Sequence, residues 1–142
     1  MSRPTAWLLV RSGGRLVGLD LPRVVEVLES GRVHPVPSRE PAVRGVTGVR
    51  GRILPVVSLG ALLDGGALAS QPGEALVVVE LGGGRLCLEV DQAEEVLLGA
   101  GLPVPHGTTL PWAAAVARHE EQLVPLLDLD ALAARLGEAA SA

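Results

Sequence analysis

The sequence predicts a mainly β protein made of two similar small units, with one α-helix near the C-terminal end. Three observations support this prediction. Valine and leucine supply nearly all of the apolar bulk, and valine favours strands because its branched side chain is stiff. Gly-Gly pairs separate apolar stretches, as they do in β-hairpins. The chain also repeats itself at a spacing of about 70 residues, which indicates a duplicated unit.

The repeat consists of three segments that recur in the same order. The pair Gly13–Gly14 corresponds to Gly82–Gly83, and Pro55 corresponds to Pro125. The matched segments are 8–28 with 77–97, 34–46 with 102–116, and 52–63 with 122–133. One match could be chance in so biased a composition, but three in register indicate duplication. We expect one domain over 1–142, with subdomains at about 7–70 and 75–136. These bounds are approximate, because strands of one subdomain can be exchanged into the barrel of the other.

Each unit begins with a predicted hairpin, at 8–21 and at 75–90. Tight hairpins favour positive φ at the turn, which explains the glycine pairs; no P-loop pattern accompanies them, so a phosphate-binding loop is rejected. A short segment containing glutamate and a proline-rich link follow, and an apolar strand closes the unit. Because proline lacks an N–H group, Pro55 and Pro125 are expected at a strand end or edge.

The segment after the last strand has helical spacing. Leu129, Leu132, Ala133 and Leu136 fall on one face, which predicts a helix over about 129–136. The helix would be capped by Asp128 or Asp130 and stopped by Gly137, and residues 59–63 are its shorter counterpart in the first unit.

Composition excludes several classes of protein. The net charge is −4, and Phe and Tyr are absent, which argues against general nucleic-acid binding. Cys87 is the only cysteine, so no internal disulfide can form and a reducing compartment fits. No apolar run approaches the roughly 18 residues of a membrane span. We expect a cytoplasmic protein without membrane insertion.

The polar residues do not suggest a catalytic or metal site. His34, His106 and His119 lack ligand spacing and are expected to be solvated loop residues. Cys87 alternates with leucines and is expected to be a partly buried strand residue. Solvated turns explain the acidic clusters, which are Asp91, Glu94 and Glu95, and Glu120 and Glu121. We therefore expect no catalytic residues, no cofactor and no metal.

The two units differ in charge where they are otherwise alike. The first carries four arginines within fourteen residues, whereas the second has one arginine and two glutamates there; these are Arg39, Arg44, Arg50 and Arg52, and Arg118, Glu120 and Glu121. Arg50 lies between Val49 and Gly51 at the head of a strand expected to be buried. Because an unpaired buried charge is costly, Arg50 should have a partner.

Four segments together resemble the CheW-type chemotaxis coupling proteins. AVRGVTGVRGRILPVVSLGALL (42–63) resembles the family signature, with Gly45, Val46, Arg50, Gly51 and Pro55 at its turn and strand. The other segments are VVEVL (24–28), LCLEVDQAEEVL (86–97) and LVPLLDLDALA (123–133). The matches occur in the family's order and span about 7–136.

The resemblance implies two five-stranded SH3-like β-barrels that share an apolar seam, and no catalysis. It implies an adaptor that couples the cytoplasmic tips of chemoreceptors to the regulatory domain of a CheA-type histidine kinase, in an assembly that can form rings. The alternative is a regulatory scaffold of a divergent chemosensory system, controlling motility, pili or another output, which binds another protein or a ligand instead of the kinase.

The resemblance also implies roles for particular residues. Arg50 of the signature would form a structural salt bridge with Glu26. Receptor helices would dock in the groove between the barrels, at the positions of Val24, Cys87, Ala93 and Val96. Kinase contacts would be mainly apolar and come from both barrels. One departure from the family pattern is Ser58, where an acidic residue is usual; the second unit has Asp128 there.

Overall fold

The computed structural model describes residues 6–65, 68–69, 71–107 and 112–141, with the backbone alone at 135 and 137–141. The described part is mainly β, as predicted. Its strands are β1 (Ala6–Ser12), β2 (Arg15–Asp20), β3 (Val24–Glu29), β4 (Val43–Val49), β5 (Arg52–Ser58), β6 (Ala75–Leu81), β7 (Gly84–Val90), β8 (Gln92–Leu98), β9 (Ala113–His119) and β10 (Gln122–Leu127). The helices are α1 (Leu59–Asp64) and α2 (Leu129–Ser141), and a 3₁₀ turn covers Leu21–Arg23.

The strands form two five-stranded sheets. The first sheet has the order β8-β1-β2-β10-β9, and the second has the order β3-β6-β7-β5-β4. Each sheet therefore combines strands from both halves of the chain. The predicted bounds of 7–70 and 75–136 mark the two copies of the sequence repeat. They do not mark the two sheets, because each sheet contains strands from both copies. Parallel contacts of β10 with β2 and of β5 with β7 join the two halves within each sheet.

The glycine pairs lie in the hairpin turns where the sequence predicts them. Gly13 and Gly14 have φ of 60° and 79° between β1 and β2, and Gly82 and Gly83 have φ of 56° and 84° between β6 and β7. Non-glycine side chains are strained at such angles. The duplicated hairpin predicted from the sequence is confirmed.

The two repeated prolines lie inside strands, so the prediction of a strand end or edge is wrong. Pro55 pairs with Val46 on one side of β5, but the parallel contact with β7 on the other side begins only at Val56. Pro125 likewise precedes Leu126, where β10 pairs with β2. The missing N–H is tolerated because each proline has a strand neighbour on one side only.

The core has a shared layer between the sheets and a smaller cluster within each sheet. Alternate residues of β6 separate cleanly: Val77 and Val79 face the shared layer, whereas Leu76 and Val78 face the inside of the second sheet. Helices α1 and α2 add Leu59, Leu62, Leu129 and Leu132 to the shared layer. The apolar seam implied by the family resemblance is present.

Both helices begin at a capping side chain. The Ser58 hydroxyl accepts a hydrogen bond from Ala61 N (3.2 Å), and the Asp128 carboxylate accepts one from Ala131 N (3.0 Å). Asp128 is therefore the cap of α2, as one of the two predicted candidates. The prediction that Gly137 stops the helix is wrong, since α2 continues to Ser141. One glycine costs about 1 kcal/mol in a helix, which its good helix-forming neighbours can offset.

Candidate functional site

Arg50 and Glu26 form an ion pair. Arg50 occupies the turn between β4 and β5 with φ of 49°, and its Nε and Nη2 donate to the two carboxylate oxygens of Glu26 at 2.8 and 2.9 Å. This hydrogen bonding lowers the pKa of Glu26 and raises the pKa of Arg50. The Arg50 side chain is 76% exposed. The expectation of a buried charge is wrong, because a turn residue projects outward beyond the end of its strand.

The Arg50–Glu26 contact joins β3 to the turn that follows β4, and β3 and β4 are the outermost strands of the second sheet. The sheet must therefore curl until its two edges meet. An ion pair that joins the outermost strands of a sheet is called an edge ion pair below. Because exposed ion pairs add little stability, the edge ion pair contributes only modestly to the contact between the two edges.

The other signature residues shape the strand that precedes this turn. A Cβ on Gly45 would lie 2.1 Å from His34 O, so only glycine lets the segment around His34 approach β4. The Val46 N–H donates to His34 O (2.9 Å), and the His34 N–H donates to Val46 O (2.8 Å). Gly51 completes the turn with φ of 79°. These signature positions therefore fix backbone geometry.

The structure also contains an ion pair that sequence reasoning missed. Arg44 Nε lies 2.6 Å from Glu89 Oε2, and the two side chains are only 14% and 3% exposed. Arg44 Nη2 also donates to Ala69 O (3.2 Å). A Cβ on Gly73 would lie 3.1 Å from Glu89 Cγ, so the loop before β6 covers the carboxylate closely. The available signal was a glutamate within the apolar run of β7.

The proposed receptor positions do not share one environment. Ala93 lines the groove described below, and Val96, three residues further along β8, is 47% exposed. Val24 is half-buried and packs against the shared core. Cys87 is 0% exposed and faces Val56 and Val78 inside the second sheet. Its assignment as a receptor contact is therefore wrong, because its side chain cannot reach a docked helix.

Cys87 is also unsuited to act as a nucleophile. Burial, reinforced by the nearby charge of Glu26, raises the pKa of its thiol to about 11. A thiolate is the reactive form of cysteine, so Cys87 is a neutral thiol near pH 7. It serves as a small apolar core residue, more deeply buried than the sequence predicts.

A groove of about 910 Å³ lies between the two sheets. One wall comes from the second sheet and includes Val27 and Ala75; the other comes from the start of β8 and includes Ala93. Carboxylates at Glu29, Glu74 and Asp91 and the paired Arg44 also line it; the remaining lining residues are Leu28, Ser30, Gly31, Val33, Pro35, Pro72, Gly73 and Gln92. The groove combines apolar walls with a largely acidic rim.

His119 departs from its predicted environment. It is the last residue of β9 and its side chain is only 15% exposed, whereas His34 and His106 are exposed loop residues as predicted. Its Nε2 lies 2.9 Å from Glu95 Oε1 and 4.0 Å from Glu120 Oε1. Sequence spacing could not indicate this cluster because β8 and β9 meet only through curling of the first sheet.

The curled sheets, their shared core and the groove between them define a mainly β scaffold with a surface suited to binding. The chain belongs to the CheW-like domain family, which matches residues 6–137. The scaffolding protein TtCheW from Thermoanaerobacter tengcongensis has a similar structure, with a TM-score of 0.78 and 23% sequence identity over 93% of this chain and 89% of that chain.

The fold is thus that of the CheW-like domain family. No curated protein gives a significant match to the sequence. Within the described residues, no helix is both long and apolar enough to cross a membrane.

Proposed function

We propose that the protein is a non-catalytic cytoplasmic adaptor that binds chemoreceptors and a CheA-type histidine kinase and so couples one to the other. The groove between the two sheets is the observation that carries this proposal. The apolar part of its lining suits the apolar face of a helix, and amphipathic helices are usually recognised in such grooves. Coupling then requires no chemistry, only different affinities for different states of the partners.

The receptor side of the proposal rests on the groove residues. Ala93 and Val27 lie on opposite walls, and Val27 is 44% exposed. A receptor helix would bury both side chains. Glu29, Glu74 and Asp91 at the rim favour a helix with basic residues beside its apolar face. Val96 extends the apolar surface along β8, while Cys87 takes no direct part.

The kinase side rests on a second pair of exposed apolar residues. Ile53 on β5 and Leu123 on β10 are 76% and 52% exposed and occupy equivalent positions of the repeat. They provide one apolar contact on each sheet, which matches the two-barrel kinase interface expected for the family. An adaptor with two such faces can alternate with a kinase in a closed ring.

Val27→Arg and Ile53→Arg test the two faces against each other in binding assays with cognate receptor tips and kinase regulatory domain. A charge buried at an interface centre should weaken binding by about tenfold or more. We expect Val27→Arg to weaken receptor binding alone and Ile53→Arg to weaken kinase binding alone. The binding that each variant retains shows that it is still folded.

Three outcomes would contradict parts of the proposal. Wild-type protein that binds neither partner contradicts coupling itself. Binding of receptors without kinase favours the alternative regulatory scaffold. Wild-type affinity in both variants means that the contact faces lie elsewhere.

Raised salt should weaken receptor binding, because the acidic rim of the groove contributes to that binding.

A further inference from the structure

The last hairpin of each repeat has the same turn but different charges. Residues 50–51 and 120–121 all have positive φ, and each pair forms the two-residue turn of a β-hairpin. Glu120 therefore occupies the position of Arg50. His119, which precedes it, occupies the position of Val49, a buried residue of the second sheet.

The strand opposite each turn supplies a carboxylate. Glu26 on β3 and Glu95 on β8 are equivalent in the repeat, and both strands are outermost in their sheets. In the second sheet the Arg50 guanidinium lies against Glu26, so the edge ion pair is neutral. In the first sheet two carboxylates, Glu95 and Glu120, meet at the corresponding place. Like charges so placed repel unless a cation lies between them.

His119 adds a nitrogen ligand to these carboxylates. Its Nε2 lies 2.9 Å from Glu95 Oε1 and 4.0 Å from Glu120 Oε1. One ligand atom from each residue lies within 4.8 Å of the others. Ligand atoms around a tetrahedral metal ion at about 2.1 Å are roughly 3–4 Å apart, so small side-chain rotations suffice to complete the geometry.

From the comparison of the two halves, we infer that Glu95, His119 and Glu120 bind a divalent transition-metal cation such as Zn²⁺. The ion would occupy the position in the first sheet that corresponds to the Arg50 guanidinium in the second sheet. Two carboxylates and a neutral imidazole balance the charge of such an ion. The imidazole nitrogen favours Zn²⁺ over Mg²⁺, which prefers oxygen ligands. Glu95 and Glu120 are 58% and 77% exposed, which leaves the ion open to water and to exchange.

The bound ion would join β8 to β9 as Arg50 joins β3 to β4. One further cation acts on the cluster: Arg11 on β1 experiences the charge of Glu120. Its guanidinium is already bound by Glu94, with Nε 2.9 Å from Oε2. Arg11 is therefore already paired with a carboxylate outside the cluster.

The experiment measures Zn²⁺ binding by titration calorimetry and the shift of the thermal unfolding midpoint with added Zn²⁺ and Mg²⁺. We expect one Zn²⁺ per chain, a rise in the midpoint with Zn²⁺, and a much smaller rise with Mg²⁺. His119→Gln and Glu95→Gln should each weaken Zn²⁺ binding by at least about tenfold, the effect that even loss of a supporting partner can have.

Two substitutions in the turn provide the sharpest comparison. Glu120→Arg copies the turn of the other half, and we expect it to abolish the Zn²⁺-dependent shift. Glu121→Gln removes a neighbouring carboxylate outside the cluster and should bind Zn²⁺ like the wild type.

The assignment is overturned if wild-type protein shows no Zn²⁺-dependent shift, or if Mg²⁺ produces an equal one, which would indicate general charge screening. It is also overturned if the cluster variants retain wild-type Zn²⁺ affinity, which would place the ion elsewhere on the protein. These outcomes are independent of receptor and kinase binding.

Discussion

Arg44 and Glu89 place opposite charges where water scarcely reaches. Glu89 is 3% exposed and Arg44 is 14% exposed, and the loop at Gly73 lies against the carboxylate. Each charge is tolerated only because the other is present, since an unpaired buried ion is strongly unfavourable. The pair lies beside the groove, where Arg44 contributes to the lining. It therefore links the stability of the second sheet to the shape of the proposed receptor site.

Removal of one partner of this buried pair should be strongly destabilising. Arg44→Ala should lower the free energy of unfolding by about 3–5 kcal/mol, because it leaves the Glu89 carboxylate buried alone. Urea denaturation provides the measurement. Arg44→Met combined with Glu89→Leu should recover most of the loss, and Arg52→Ala, at an exposed arginine, serves as the control. A loss for Arg44→Ala no larger than that of the control would show that water solvates Glu89.

Arg50 and Glu26 predict a specific dependence of stability on acid. The folded-state pKa of Glu26 lies below its ordinary value of 4.5, chiefly because Arg50 hydrogen-bonds the carboxylate. The contribution is therefore present above pH 4.5 and is lost as the pH falls through the lower folded-state pKa. Urea midpoints should fall more steeply below pH 4.5 in the wild type than in Arg50→Gln. If the urea midpoints of the wild type and Arg50→Gln changed in parallel with pH, the Arg50–Glu26 ion pair would not form to a significant extent in solution.

At the scale of secondary structure, the repeated units use one plan with different residues. Each closing strand runs into a helix through a capping side chain, Ser58 in the first unit and Asp128 in the second. From the sequence alone, Ser58 is only a departure from the acidic residue that the family resemblance leads one to expect. Its hydroxyl performs the same capping as a carboxylate. Ser58 is also 7% exposed, where a charge would be costly to bury.

Loss of either cap should destabilise the protein modestly. Ser58→Ala and Asp128→Ala should each lower the free energy of unfolding by about 1 kcal/mol, because a helix N–H loses its acceptor. Asp128→Asn retains an acceptor and should stay close to wild type. Thermal unfolding followed by circular dichroism measures these differences. Equal stability of Asp128→Ala and Asp128→Asn would rule out a capping contribution.

At the scale of the whole molecule, strand exchange makes the two repeats dependent on each other. The first sheet takes β1 and β2 from the first half and β8, β9 and β10 from the second. The second sheet takes β3, β4 and β5 from the first half and β6 and β7 from the second. Neither half can bury its strands alone. The groove consequently lies between two sheets that share one apolar core.

Fragments of the chain test this dependence. Residues 1–70 and 71–142, produced separately, should each lack a cooperative thermal transition, because each would expose the apolar faces of β1 or β6 and their neighbours. An equimolar mixture should regain strand content and a cooperative transition by reassociation. A cooperative transition in either fragment alone would show that a repeat can fold as an autonomous unit.

The amino-acid sequence by itself determined which family the protein resembles and where its local structural elements, the hairpins and the last helix, begin. Glycine pairs require positive φ and so marked both hairpins, and the spacing of leucines together with Asp128 marked the start of the last helix. The repeat matched Glu26 to Glu95, and the family resemblance paired Glu26 with Arg50. These signals depend on residues close together in the chain or on a recurring pattern.

Only the tertiary structure decided which half supplies each strand, and which side chains meet across the sheets. The central strands are apolar on both faces, so alternation could not show that Cys87 faces the inside of the second sheet and Leu88 the shared core. The meetings of Arg44 with Glu89 and of His119 with Glu95 join residues far apart in sequence. They arise from sheet order and curling, which are set by the packing of the whole molecule and not by any local pattern.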